Sequence, residues 1–204
     1  MSTVASLLAL LTGTISHADT RAGIEAYKRG DYRTAIVELE KAAEGGDPQA
    51  YFNLGVLYAD GRAVPKDQAK AVSFYKQGAE RGSVLAAFNL AQAYRKGEGV
   101  PANHAEAARW YRFAAERGDF RACNELGLLY VEGKGVTRDL VEGFAWIYPA
   151  THASIRDEQA LKNAMQLASM LTPQQVHRAQ AKGREYFTRF IEPNMDVARA
   201  LKGQ

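Results

Sequence analysis

Few residues in this chain could do chemistry, and their spacing keeps them apart. The histidines are His17, His104, His152 and His177. A metal or catalytic pair on a helix needs a partner at i+4, or a CxxC nearby, so that the ligands share one face. None of the four histidines has either. The single cysteine, Cys123, permits no intrachain disulfide, and a free cysteine commonly behaves as a small buried apolar residue. Gly133-Lys134 invites a phosphate-loop reading. However, five residues rather than four separate Gly127 from Gly133, and Gly135 stands where a Ser or Thr would hold magnesium. No G-x-S-x-G nucleophile turn occurs. These residues point to no enzyme, no cofactor and no metal.

A second group is better placed for binding than for catalysis. Asn53, Asn89 and Glu125 recur at one spacing, each just before a leucine. An Asn side chain offers both a donor and an acceptor, the pair needed to hold a peptide backbone. Tyr51, Arg95 and Lys96 lie nearby in sequence, and the two cations favour an acidic partner.

These positions are set by a repeat. "LGVLYADGRAV", "LAQAYRKGEGV" and "LGLLYVEGKGV" stand 36 residues apart, in units that begin at Ala50, Ala86 and Ala122. Leu54/Leu90/Leu126, Tyr58/Tyr94/Tyr130, Gly61/Gly97/Gly133 and Val64/Val100/Val136 recur without gaps. A period of this size implies a solenoid, in which each unit buries its apolar face only against its neighbours.

Each unit reads as two antiparallel helices. Ala50, Leu54 and Tyr58 share one helix face by their spacing of four. The following Gly61 can end that helix in a left-handed conformation. The loop valine is placed to plug into the core. Asp67, Asn103 and Asp139 then fall where an N-cap belongs. Glu106 and Glu142 sit three residues after two of them, as in a capping box. In the second helix, Ala71, Phe74, Tyr75, Gly78 and Ala79 form an amphipathic stripe, repeated by Ala107, Trp110, Tyr111, Ala114 and Ala115.

The ends are irregular. Residues 19–49 read as a tetratricopeptide-like first hairpin with a shorter inter-helix loop. Units 50–85, 86–121 and 122–153 follow, and Pro149 is expected to kink or stop the last helix of the third. Residues 154–191 read as two capping helices. The first places Leu161, Ala164, Met165, Ala168 and Leu171 on one face, and the second opens with Thr172-Pro173-Gln174-Gln175. The second also places Val176, Ala179, Gly183, Phe187 and Phe190 on one side, and residues 192–204 read as a loosely held tail. The fold class is all-α: an α/α superhelical solenoid of helix hairpins with a C-terminal helical cap.

Composition agrees with a packed chain. It has 204 residues, 47% of them hydrophobic and 24% charged, with a net charge of +3. The 26 basic and 23 acidic residues are interspersed, so no run of Lys and Arg marks a nucleic-acid surface. Residues 1–18 have the layout of a secretory leader. An apolar stretch runs from Val4 to Leu11, and the small-x-small triplet Ser16-His17-Ala18 implies cleavage after Ala18, although no Lys or Arg precedes the stretch. The stretch is too short to span a bilayer, and no later one qualifies. The expected location is periplasmic or secreted.

"AYFNLGVLYADGRAVPKDQAKAVSFYKQGAERG" and "AAFNLAQAYRKGEGVPANHAEAARWYRFAAERG" resemble Sel1-like repeats, the long-loop relatives of tetratricopeptide repeats. The third unit, "ACNELGLLYVEGKGVTRDLVEGFAWIY", matches through its aromatic pair and then departs. Ala63 replaces a loop Gly and Ala91 a helix Gly of the pattern. The resemblance implies a superhelix that binds a protein or peptide in its concave groove, and many small bacterial members are exported adaptors of the cell envelope. Two alternatives remain open: binding or hydrolysis of a cell-wall-derived ligand or β-lactam, and a structural role in an envelope assembly. The cysteine pairs of the β-lactam-linked branch are absent here. No nucleic acid and no membrane span are expected.

Overall fold

A computed structural model describes residues 17–152 and 157–195. All regular elements among them are helical. The chain divides into two compact units, one ending at Ser83 and the other beginning at Val84.

The first unit holds α1 (His17–Lys28), α2 (Tyr32–Glu44), α3 (Pro48–Asp60) and α4 (Gln68–Glu80). Within it, α1 packs on α2, α2 on α3, and α3 on α4. The core joins Leu39, Ala42 and Ala43 of α2 to Ala50, Tyr51, Leu54 and Leu57 of α3. Leu54 and Ala50 are wholly buried, as their shared helix face requires. Asp47 starts α3 by accepting from the Gln49 N–H at 2.9 Å and also accepts from the Thr20 hydroxyl at 2.5 Å. The predicted leader falls largely outside the described residues, and its expected cleavage point lies in the first turn of α1.

The second unit holds α5 (Val84–Lys96), α6 (His104–Ala115), α7 (Phe120–Glu132), α8 (Leu140–His152), α9 (Glu158–Ala168) and α10 (Pro173–Tyr186). A π-helical turn at Phe187–Ile191 extends α10. Successive helices from α5 to α9 pack in pairs, and α10 returns onto α8.

One hydrogen bond recurs at every long loop. The N–H of each cap residue reaches back to the repeat tyrosine carbonyl: Asp67 to Tyr58 at 2.9 Å, Asn103 to Tyr94 at 2.8 Å and Asp139 to Tyr130 at 3.0 Å. The cap side chains also receive helix N–H groups as expected. The predicted capping boxes at Asn103 and Asp139 are therefore only half made. A box would need the cap N–H for the glutamate, and that donor is already engaged. Glu106 pairs with Arg109 instead, and Glu142 turns toward α10. At Thr172 both halves form, with Thr172 N–H to Gln175 at 2.9 Å. The loop valines Val64, Val100 and Val136 are half-buried rather than fully plugged.

Pro149 does not end its helix, since α8 continues to His152. A proline removes the usual donor to the carbonyl four residues back, here Ala145. Gly183 of α10 comes against that carbonyl, so that a β-carbon there would lie 3.1 Å from the Ala145 oxygen and 2.6 Å from Tyr148 Cγ. On the cap, Ala179 and Gly183 are buried as predicted, and Phe190 stacks on Trp146 at 5.9 Å. The π-turn makes Ile191 the deeply buried residue, 2% exposed, while Phe187 is half-buried. The expected tail is helical to residue 195, and residues 196–204 lie outside the described set.

Candidate functional site

In each unit an apolar cleft opens between the first helices of consecutive hairpins. In the first unit, Ile24 and Tyr27 of α1 face Asn53, Val56 and Leu57 of α3 across a space of 90 Å³, with Leu39 also lining it. In the second, Leu128, Val131 and Glu132 of α7 face Asn163, Gln166 and Leu167 of α9, with Met170 just beyond. This cleft measures 220 Å³, and Ile147 of α8 also lines it. Val56 and Leu128 occupy the same place in their repeats, 72 residues apart. Both volumes suit apolar side chains of a partner rather than a whole small-molecule substrate.

The six residues singled out from sequence have different fates. Asn53 and Asn89 are half-buried, and each donates its Nδ2 to its own helix, to the Gln49 and Leu85 carbonyls at 2.9 Å. That bond leaves one face of the amide, the Oδ1 acceptor, for a partner. Of these six residues, Asn53 lines one of the two clefts. Tyr51 is 8% exposed, with the Arg81 guanidinium 4.4 Å from its ring centroid, so it serves the core. Lys96 is exposed and lies 3.9 Å from Glu98. Arg95 and Glu125 form an ion pair with each other between α5 and α7. Their charges therefore partly cancel, and the basic pair read from sequence loses one member.

That ion pair sits over a buried phenol. Tyr111 is wholly buried, and the Arg95 guanidinium lies against its hydroxyl. Burial pushes the Tyr111 phenol well above its ordinary range. Burial also raises the Glu125 carboxyl, outweighing Arg95, and repulsion from Glu132 and Asp157 adds to the rise. A polar bridge joins α7 to the cap. Asn163 Nδ2 donates to Asn124 Oδ1 at 2.9 Å, and Gln159 donates to Asn163 Oδ1 at 3.0 Å. Asn124 stands where the preceding repeats place Phe52 and Phe88.

The remaining chemical residues stay scattered. Among the described residues no three His, Cys, Asp or Glu side chains gather as a metal site would require. His152 stacks on Tyr148 at 3.9 Å, and His177 is exposed. Cys123 is wholly buried, and burial pushes its thiol up, away from the reactive thiolate. One spacing that sequence reading passed over is Ser73-Phe74-Tyr75-Lys76, an S-x-x-K. Both ends are exposed on α4, and Lys76 lies 4.0 Å from Glu80, so no enclosed nucleophile site is built there.

Sequence reading also missed the cleft residues Val56, Leu128, Val131, Glu132 and Met170. Val56 and Leu128 follow Asn53 and Glu125 by three, on the same helix face. That spacing could have found them.

Comparison with known proteins places this architecture. The Sel1 repeat model matches residues 48–83, 84–119 and 120–153, segments that begin at the first residues of α3, α5 and α7. A protective antigen of uropathogenic Escherichia coli with an SLR fold superposes with a TM-score of 0.73 at 32% identity, covering 84% of this chain and 36% of that one. A Sel1 repeat protein from Oxalobacter formigenes gives a TM-score of 0.67 at 31% identity, covering 83% and 69%. The DAP3-binding cell death enhancer 1 of Rattus norvegicus is 36% identical over 69 residues, which are 34% of this chain and 14% of that protein. The Mus musculus protein of the same name is 40% identical over 50 residues, 24% of this chain and 10% of that protein. The chain thus spans only a small part of those two relatives. Sel1 repeats typically serve as protein–protein interaction scaffolds. Three matched repeats, an all-helical array of paired helices and two Sel1-type structural neighbours together make this chain a member of the Sel1 repeat family.

Proposed function

We propose that this protein is a non-enzymatic adaptor that binds a protein or peptide at the apolar clefts between first helices of consecutive hairpins, one cleft in each unit. The observation that carries the reading is the placement of the two apolar clefts. Each lies between first helices, α1 with α3 and α7 with α9. The residues that recur with the repeat, such as Leu54, Leu90 and Leu126, are spent in the core. Those lining the clefts vary, as a surface matched to one partner must. Export belongs to the same proposal, with the leader removed after Ala18 and the adaptor working in the periplasm or outside the cell.

Affinity capture from extract of the native cell tests the reading. Wild type is compared with an Asn53→Ala/Val56→Asp variant whose helicity is checked by circular dichroism. A specific protein retained by wild type and lost from the variant supports the assignment. Equal retention by both removes the first-unit cleft from the proposal. Mass spectrometry of the exported protein tests the leader, and an intact Met1 would refute it.

A further inference from the structure

The two clefts differ in charge, and the difference points to a partner chemistry for one of them. The first-unit cleft is lined by no charged side chain. The α7–α9 cleft has one, Glu132, set among Leu128, Val131, Leu167 and Met170. Glu132 is the last residue of α7. A carboxylate there is opposed by the negative end of the helix dipole, so it does not serve the helix.

Its surroundings carry charge of both signs, but of the charged side chains only Glu132 lines the cleft itself. Glu132 and Asp157, the cap of α9, both repel Glu125 of α7, while Arg95 and Lys96 attract it. Four cations thus lie around them: Arg95 and Lys96, Arg138, whose Nε donates to the Val131 carbonyl at 3.0 Å, and Lys134, which pairs with Glu132. Arg95 pairs with Glu125. Lys134 lies 3.0 Å from Glu132, but both side chains are open to water, 54% and 39% exposed. A pair so exposed is weak and readily exchanged for another cation. Met170 is 52% exposed at the cleft edge. Its unbranched thioether can fit itself to an incoming apolar side chain.

We propose that the α7–α9 cleft docks a cationic amphipathic segment of a partner protein. An apolar side chain enters between Leu128 and Leu167, and a neighbouring Lys or Arg takes the place of Lys134 on Glu132. This rests on the adaptor reading above and names the partner's chemistry at the second unit's cleft. The acceptors on the cleft wall are consistent with it. Asn163 is already bonded to Asn124 and Gln159, so the charge of Glu132 is the chief feature selecting the occupant.

The test uses two short fluorescein-labelled peptides in anisotropy titrations against the full chain. One is built of leucine and lysine at helical spacing, and the other of leucine and glutamate. The lysine peptide is expected to bind at least about tenfold more tightly at low salt, with the preference shrinking as salt screens the charges. Glu132→Lys should reverse the preference, and its fold is safe because a cation suits a helix C-terminus. Met170→Gln, at an exposed position, should weaken the lysine peptide severalfold without altering the charge preference. Equal binding of both peptides, binding of neither, or a preference unchanged by Glu132→Lys would each overturn the proposal. Native capture that still depends on Asn53 and Val56 would leave the adaptor reading standing in all three cases.

Discussion

Glu142 and Glu106 hold the same place in successive repeats, three residues after the caps Asp139 and Asn103. Their surroundings differ sharply, which makes a matched experiment. Glu142 accepts from Trp146 Nε1 at 2.9 Å, from the Tyr186 hydroxyl at 2.8 Å and from Lys182 Nζ. It is 13% exposed and ties α10 to α8. Glu106 pairs only with Arg109, whose side chain is 60% exposed. Glu142→Ala strands the indole N–H of Trp146, which is buried, at a cost of about 1–3 kcal/mol. Tyr186 is half-buried and can turn to water, adding about 0.5–1 kcal/mol. Lys182 is 43% exposed, and its pair adds at most about 1 kcal/mol. The sum is about 1.5–5 kcal/mol, or a fall in Tm of roughly 3–20 °C for a chain of this size. Glu106→Ala should cost under about 0.5 kcal/mol. Thermal melts followed by circular dichroism measure both. Tryptophan fluorescence localises the change, because Trp146 is one of only two tryptophans. Equal destabilisation by the two substitutions would refute the claim that the Glu142 network clamps the cap.

Gly127→Ala should also destabilise, because a β-carbon there would lie 2.6 Å from the Gly143 carbonyl and 2.5 Å from Ile147 Cγ1. Overpacking of about 1–3 kcal/mol outweighs the gain of up to about 1 kcal/mol in helix propensity, and a raised urea midpoint would contradict this. Glu125 gives a pH test. Burial first, then Glu132 and Asp157, raise its carboxyl despite Arg95. A raised folded-state pKa contributes stability that is full below the unfolded value and lost as pH rises through the folded one. The Tm of wild type relative to Glu125→Gln should therefore fall as pH rises above the ordinary glutamate value of about 4.3. A rise would show that the Arg95 attraction dominates.

Most of the fold is legible in the repeat itself. Leu54, Leu90 and Leu126 recur at one helix face and are all wholly buried. Gly61 and Gly133 end their helices with φ of 78° and 69°, as a glycine after a helical run allows. Such features are local or periodic, so a single sequence carries them. Pro149 is the instructive exception. Its helix continues to His152, with Gly183 of α10 set close against the Ala145 carbonyl and Tyr148, a contact no local rule contains.

The candidate site was read less well. Asn53 does line a cleft, but Tyr51 went to the core, and Arg95 was claimed by Glu125, thirty residues away. Both outcomes depend on neighbours that come from other helices. By itself, the sequence determined the helix hairpins, their period, their N-caps and the buried faces of the repeats, because these follow from residue type and spacing along one chain. On α9, where the repeat has ended, Ala160 and Leu167 are buried and Met165, expected on the packed face, is 73% exposed. Tertiary structure alone decided which polar groups pair, where the cap clamps at Glu142 and where the clefts open, because a cleft is the space left between helices brought together by packing.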